Sequence, residues 1–392
     1  MPVGYLITVV GWGIPTLFAV APMRGRVRLG WVSFFLGVAL NEVPSVAFYF
    51  VVVSTALLIA QGGLHGPGAW VAFGIGTLDM AALIAISVRA RTAGAIVGRA
   101  LNDGLGPDWR RALDPAEAAG LRAFFAAGLV SFVPLRARRP EVEHIANIAY
   151  GDAGVRNLLD VYRHRSRPSG CPVLVHLHGG GLRTGRKDRE ALSLIYRLAS
   201  RGWVCVSANY RLSPAATFPD HLVDVKKVIA WVRAHGEEFG ADPSVVFVAG
   251  GSAGAQLASL AALTPNEPRY QPGFESADTS VTAAIALYGL YSPASYGSQD
   301  VGGDAFPMTH LRSDAPPFFV AHGDRDTLLR VETAREFAAR LRSVSRRPVV
   351  YAELSWAQHT FDRFRSVRCD NVVNGIEAFA DWVLATRGRD RG

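Results

Sequence analysis

Charge is spread so unevenly along this chain that its first part cannot form an ordinary water-soluble domain. The 392 residues include 41 Lys and Arg and 33 Asp and Glu, yet only Arg24, Arg26, Arg28, Glu42 and Asp79 precede residue 89. A wetted surface needs a far larger charged fraction. Three apolar segments fill this region: residues 4–21, residues 31–60 and residues 69–88. A helix needs about 20 apolar residues to cross the hydrocarbon core of a bilayer, so the first and third have the length of a span. The second is broken near Asn41, Glu42 and Pro44. It reads either as one tilted or kinked span or as two short pieces hinged at Pro44.

Arginine placement gives an expected orientation. The arginines at 24, 26 and 28 follow the first segment, whereas a cleaved signal peptide carries its positive charge ahead of the apolar run. The first segment is therefore expected to remain as an uncleaved span. The loop MRGRVR should be cytoplasmic, QGGLHGPG should face outward, and Arg89, Arg91 and Arg99 should again be cytoplasmic. Three crossings then put the long remainder of the chain on the cytoplasmic face. Residues 121–135, LRAFFAAGLVSFVPL, are too short for a comfortable crossing and contain Arg122, so an interfacial or cap helix is expected there. A crossing at that point, or a hairpin in the second segment, would reverse the sidedness. Asp79 and Glu42 lie within apolar segments, where ionisable groups face a bundle interior or water. Their expected role is polar contact within the small bundle, or for Glu42 a position near the interface; the alternative is a proton or ligand site.

The expected organisation is a transmembrane helical anchor over residues 1–92, a linker or cap over 93–141, and a catalytic domain over 142–392. In the last part short apolar runs (CPVLVHLH, WVCVSA, VVFVAG, VTAAIAL, PFFVAHG, PVVYAEL) alternate with amphipathic stretches. That alternation implies a mostly parallel sheet covered by helices on both faces. The formal charge of +8 comes without a zinc knuckle or an aromatic-plus-basic motif, so nucleic acid is not an expected partner. Cys171, Cys205 and Cys369 contain no CxxC pair, and nothing in them requires an oxidising compartment.

The chemistry is concentrated in VFVAGGSAGAQLA, residues 246–258. A β-branched apolar run meets a helix-favouring run at Ser252. A hydroxyl is a weak nucleophile until a base takes its proton. A sharp strand-to-helix turn presents it to that base, and the crowding of the turn requires small residues on both sides, here Gly250 and Gly254. In HLHGGGLRTG, residues 176–185, the run His178-Gly179-Gly180-Gly181 follows another strand. Glycine N–H groups meet an oxyanion unobstructed, so Gly180 and Gly181, with the N–H of Ala253, are the expected oxyanion hole. His178 is expected to prop the glycine loop. PFFVAHGDRDTLL ends in a loop holding Asp324 and Asp326, and ELSWAQHTFDRF in a loop holding His359. His359 is the expected base and Asp326 the acid that orients it. Asp324 remains the alternative acid; otherwise it pairs with Arg325 or caps the loop. His322 is assigned to loop structure.

These segments together, with NYRLSP (209–214), FPDHLVDV (218–225) and QHTF, resemble the α/β-hydrolase fold, and within it the hormone-sensitive-lipase-like esterases. The likeness covers about residues 145–385, in the order Ser, Asp, His that the fold uses. With its apolar N-terminus the chain is similar to membrane-anchored actinobacterial carboxylesterases and lipases. The resemblance implies hydrolysis of carboxylic esters of short or medium acyl chains or of lipids, by way of an acyl-enzyme, with no metal or organic cofactor. Amide, formamide or thioester hydrolysis by the same residues is the alternative, and a catalytically silent binding protein on this fold is another. The resemblance makes Tyr210, Arg211 and Asp224 structural supports of the loops beside the site. Three departures from the family's habit, Leu182 after the glycines, Gly251 before Ser252 and Ala255 after Gly254, bear on substrate choice; oligomeric state is not legible.

Overall fold

The apolar runs after residue 141 become strands because each is short, rich in β-branched or small residues, and closed by glycine or a polar turn. In the computed structural model, residues 3–23, 27–113, 138–295 and 303–387 are described. Eight strands form one sheet: β1 (Val142–Ala149), β2 (Leu158–His164), β3 (Cys171–Leu177), β4 (Val204–Ala208), β5 (Ala241–Gly251), β6 (Ala283–Leu287), β7 (Phe318–Gly323) and β8 (Val349–Leu354). Their order is β1-β2-β4-β3-β5-β6-β7-β8. The β1–β2 and β2–β4 pairs are antiparallel, and every later pair is parallel.

Alternation along each strand divides its side chains between two buried layers. Leu174, Phe247, Ile285, Phe319 and Val350 face one layer, while Val173, Val246, Ala284, Phe318 and Val349 face the other. The second layer is closed by α7 (Asp220–His235), α8 (Ala253–Leu263) and α9 (Val331–Val344). The first is closed by α6 (Leu192–Ser200), α10 (Val367–Arg387) and a helix from before the sheet, α5 (Thr92–Leu105). Residues 93–113 thus differ from the connector expected of them. Ala93, Val97, Ala100, Leu101 and Trp109 are buried in the core of the sheet domain. Their Arg-, Ala- and Gly-rich composition hides this because small residues at helical spacing pack as closely as large ones. The expected cap helix at 121–135 lies outside the described residues, as do Arg24 and Arg26.

Ahead of α5 stand α1 (Val3–Val20), α2 (Val27–Glu42), α3 (Pro44–Ala60) and α4 (Pro67–Ala90). Among the described residues, two helical stretches are long and apolar enough to cross a membrane: α1, and the continuous run from Pro67 to Leu105. The α2–α3 pair passes the same test only together, and it is bent by 81°. Pro44 opens α3 at a position where its missing N–H costs nothing, and the chain turns at Val43 just before it. The second apolar segment is thus two helices bent at Pro44.

Candidate active site

Ser252 sits where β5 gives way to α8. Its φ of 55° and ψ of −120° are costly for a residue with a side chain, and surroundings that tolerate no other course hold it there. A Cβ on Gly254 would collide with the carbonyl oxygen of Leu177, and one on Gly250 with the backbone of Gly254. The turn is thus closed against the end of β3 by two residues that have no side chain. The backbone N–H of Ser252 donates to Leu287 O on the neighbouring strand at 2.9 Å.

His359 follows β8, and Asp326 follows β7. Their sequence separation from Ser252 disappears because β5, β6, β7 and β8 are adjacent and parallel, so their C-terminal ends share one edge of the sheet. His359 Nε2 lies 3.0 Å from Ser252 Oγ, and His359 Nδ1 lies 2.6 Å from Asp326 Oδ2. The carboxylate can only accept, so Nδ1 carries the hydrogen and Nε2 is left as the acceptor for the serine hydroxyl. Asp326 Oδ1 accepts from the N–H groups of Leu328 and Leu329, each at 2.8 Å. Burial pushes the Asp326 carboxyl up, but His359 and His322 beside it prevail and hold it well below the usual carboxylate range. Asp324 is turned elsewhere: its Oδ1 accepts the N–H of Trp356 at 2.6 Å.

The glycine loop lies against the serine. A Cβ on Gly179 would stand 3.2 Å from that of Ser252. Gly180 has a φ of 106° and Gly181 a φ of 63°, and only glycine takes the former without strain. Among the described residues, the N–H groups of Gly180, Gly181 and Ala253 donate to no other protein group. His178 is fully buried, with its Nδ1 2.7 Å from Gly179 O and its ring stacked on Tyr210 at 4.3 Å. Burial pushes its imidazole down to about 4. Tyr210 Oη donates to His178 O at 2.7 Å. Arg211 binds Asp224 through its backbone N–H at 2.9 Å and through its guanidinium, so the three residues brace the end of β3 and β4 beside the loop.

Five groups of this site are absent from the sequence expectations, or were assigned there to something else. His322, assigned to loop structure, puts its Nε2 3.1 Å from Asp326 Oδ2 and is fully buried. Gln358 Oε1 accepts the N–H groups of Thr327 at 2.8 Å and of His359 at 3.0 Å, tying the loop after β7 to the loop after β8. Glu190 Oε2 accepts the N–H of Gly179 at 2.6 Å. Tyr288 fills the space a side chain at Gly251 would need, its Oη 2.5 Å from where a Cβ would be, and it donates to Asp362. Burial pushes both the Asp362 and Glu190 carboxyls up. The DRF that follows QHTF is the only sequence signal for Asp362, and nothing local marks the rest. Glu42, expected to make contacts within the bundle or to lie near the interface, pairs with Arg368 and accepts from Ser366 Oγ at 2.7 Å. Its role is to join the bundle to the sheet domain, a partnership across more than three hundred residues that no local pattern announces.

A mostly parallel eight-stranded sheet with helices on both faces, carrying a serine at a strand–helix elbow and a histidine and aspartate on later loops, is an α/β-hydrolase fold. The BD-FAE family model matches residues 159–301. Over 98% of its length the chain is 38% identical to the probable carboxylic ester hydrolase LipM of Mycobacterium tuberculosis, covering 94% of that protein. It is also 38% identical to esterase LipQ of the same bacterium, over 77% of each chain. Esterase 2 of Thermogutta terrifontis with propionate bound is similar in structure, with a TM-score of 0.52 at 25% identity, over 61% of this chain and 93% of that one. A truncated carbohydrate esterase from gut microbiota shares the fold at 17% identity with a TM-score of 0.54, over 60% and 96% of the two chains. The chain belongs to the family of α/β-hydrolase esterases that includes the mycobacterial carboxylic ester hydrolases. The coverage of LipM takes in the N-terminal helices as well as the sheet domain.

Proposed function

We propose that this protein is a membrane-anchored serine esterase in which Ser252 is the nucleophile, His359 the general base and acid, and Asp326 the group that orients His359. The ester carbonyl carbon is attacked by Ser252 Oγ as its proton passes to His359 Nε2. The carbonyl oxygen becomes an oxyanion held by the N–H groups of Gly180, Gly181 and Ala253. The tetrahedral intermediate collapses, the C–O bond to the alcohol breaks, and the imidazolium returns its proton to the departing alkoxide. Water then attacks the acyl-enzyme, with His359 again as base, and releases the acid and Ser252. Asp326 keeps the imidazole in the tautomer that can accept and stabilises its charged form. His178, Gly179, Gly250 and Gly254 hold the loops in place.

The observation that carries this reading is the unbroken line from Ser252 Oγ through His359 to Asp326, with steps of 3.0 and 2.6 Å. The family's esterases, and propionate in the Thermogutta terrifontis enzyme, support short or medium acyl or lipid esters as the substrate class. In this reading α1 and α4 cross the bilayer, the bent α2–α3 pair makes a third, broken crossing of which α3 is the membrane part, and the catalytic domain lies on the cytoplasmic side, which the arginine placement supports. A fluorophosphonate probe applied to the full-length protein in detergent should label Ser252. Ser252→Ala should abolish labelling and lower hydrolysis of p-nitrophenyl butyrate by roughly four to six orders of magnitude. Labelling that persists in the variant would overturn the assignment.

A further inference from the structure

The helix α2 lies along the sheet domain rather than apart from it. Near its start, Gly30 O accepts the Thr327 hydroxyl at 3.0 Å, and a Cβ on Gly30 would come within 2.6 Å of Thr327 O. Thr327 is the residue after Asp326. One turn later Phe34, only 8% exposed, sets its ring edge-on to His359 with the centroids 6.1 Å apart. At the far end Glu42 is held by Arg368 and Ser366. The other side of α2 faces outward and is apolar: Trp31 is 46% and Phe35 68% exposed. The three rings are contiguous, with Phe34 and Phe35 5.3 Å apart and Trp31 stacked on Phe35 at 5.6 Å. An aromatic path therefore runs from the exposed apolar surface of the helical region to the imidazole. Among the described residues, all the exposed large apolar side chains except Val155 and Val344 lie between Val3 and Val88, so this path opens on the one surface suited to lipid.

We infer that α2 is a wall of the substrate site and that Phe34 contacts the alcohol portion of an ester that enters from the membrane along Phe35 and Trp31. The side of the ester follows from the chemistry: His359 Nε2 must protonate the departing alkoxide oxygen, so the alcohol portion leaves past the imidazole, where Phe34 stands. The acyl portion lies across the serine from it. The substrate class is thus an ester of an apolar, membrane-resident alcohol. This inference rests on the esterase reading above.

The test varies the two halves of the substrate separately, with the full-length protein in detergent and acid release followed by titration. One series is acetates of ethanol, octanol and hexadecanol; the other is ethyl esters of the matching acids. Phe34→Ala and the milder Phe34→Leu should lower kcat/KM for hexadecyl acetate at least about tenfold more than for ethyl acetate, the worth of roughly two lost methylene contacts. The profile over the ethyl esters should keep its shape. Fluorophosphonate labelling of Ser252 in each variant reports that the fold is intact, and Phe50→Ala, in the bundle away from the site, should leave both profiles as they are. An unchanged preference across the acetates, or a change confined to the ethyl esters, would overturn the inference while Ser252 labelling leaves the esterase reading standing. Loss of Ser252 labelling in the unmodified protein would remove both.

Discussion

The helices before residue 91 and the sheet domain after residue 141 treat their side chains in opposite ways. In the sheet domain apolar side chains are packed inward in two layers, and Asp326 has four donors around its carboxylate. In the helical region large apolar side chains point outward, and Asp79 Oδ2, buried against Gly13, has no hydrogen-bond partner among the described residues. One region buries its large apolar side chains and the other, among the described residues, exposes them. Glu42 belongs to neither pattern: it lies at the seam and is satisfied by the opposite region. Asp326 and Glu42, both well supplied with partners, each hold a relationship between distant parts of the chain. Asp326 does so between the loops that follow β7 and β8, and Glu42 between the N-terminal helices and the sheet domain.

The sharpest way to break this comparison is at Asp326. Asp326→Asn should leave the protein folded but lower kcat by roughly three to four orders of magnitude, because an amide can favour the wrong imidazole tautomer. Initial rates on p-nitrophenyl butyrate check it, and a loss below about tenfold would mean that the line from Ser252 ends elsewhere. Next comes the seam. Glu42→Ala leaves Arg368 buried without its counter-charge and should destabilise the protein by about 3–5 kcal/mol. The midpoint of thermal unfolding in detergent should fall, and the Glu42→Ala, Arg368→Leu pair should recover much of the loss. No change in the single variant would mean that α2 and the body are not fastened there.

An effect that is smaller per pH unit separates the two regions. Burial pushes His176 down to about 3 and His178 to about 4, against about 6.5 for a free imidazole. Both lie in β3 or directly after it, so the effect belongs to the sheet domain alone. The unfolded chain takes up these protons below about pH 6.5 while the folded chain refuses them. Stability is therefore full above that pH and is lost as pH falls, by about 1.4 kcal/mol per pH unit for each group, until the folded values are reached. Urea midpoints across this range should slope accordingly, and His176→Asn should remove one proton's worth of the slope. The smallest effect is expected at Asp79. Asp79→Asn should stabilise the helices by no more than about 1 kcal/mol and leave ester hydrolysis unchanged. A marked loss of hydrolysis in that variant would give Asp79 a part in the chemistry that its place against Gly13 does not suggest.

Much of the site was legible because its signals are local. The elbow at Ser252 requires Gly250 and Gly254 within two residues of it, the glycine loop is a run of three, and Asp326 and His359 each follow a strand whose period is visible. The strands β3 to β8 were legible for the same reason. Residues 93–113 have the composition of a connector because small residues on a packed helix carry no strong hydrophobic signature. The contact of His322 with Asp326 is not legible because nothing adjacent reveals which carboxylate it faces. The filling of the space beside Gly251 by Tyr288 depends on the pairing of β5 with β6, which the sequence does not spell out.

Chain chemistry alone determined the apolar character of the first ninety residues, the alternation of strands and helices, the turn that exposes Ser252, and the break at Pro44. Each follows from steric or solvation constraints acting over a few residues. Tertiary structure alone decided that Glu42 would meet Arg368, that α5 would cover the sheet, and that Phe34 would stand beside His359. Those contacts join segments far apart in the chain, and they are fixed by the packing of whole surfaces, for which no short pattern of residues is a code.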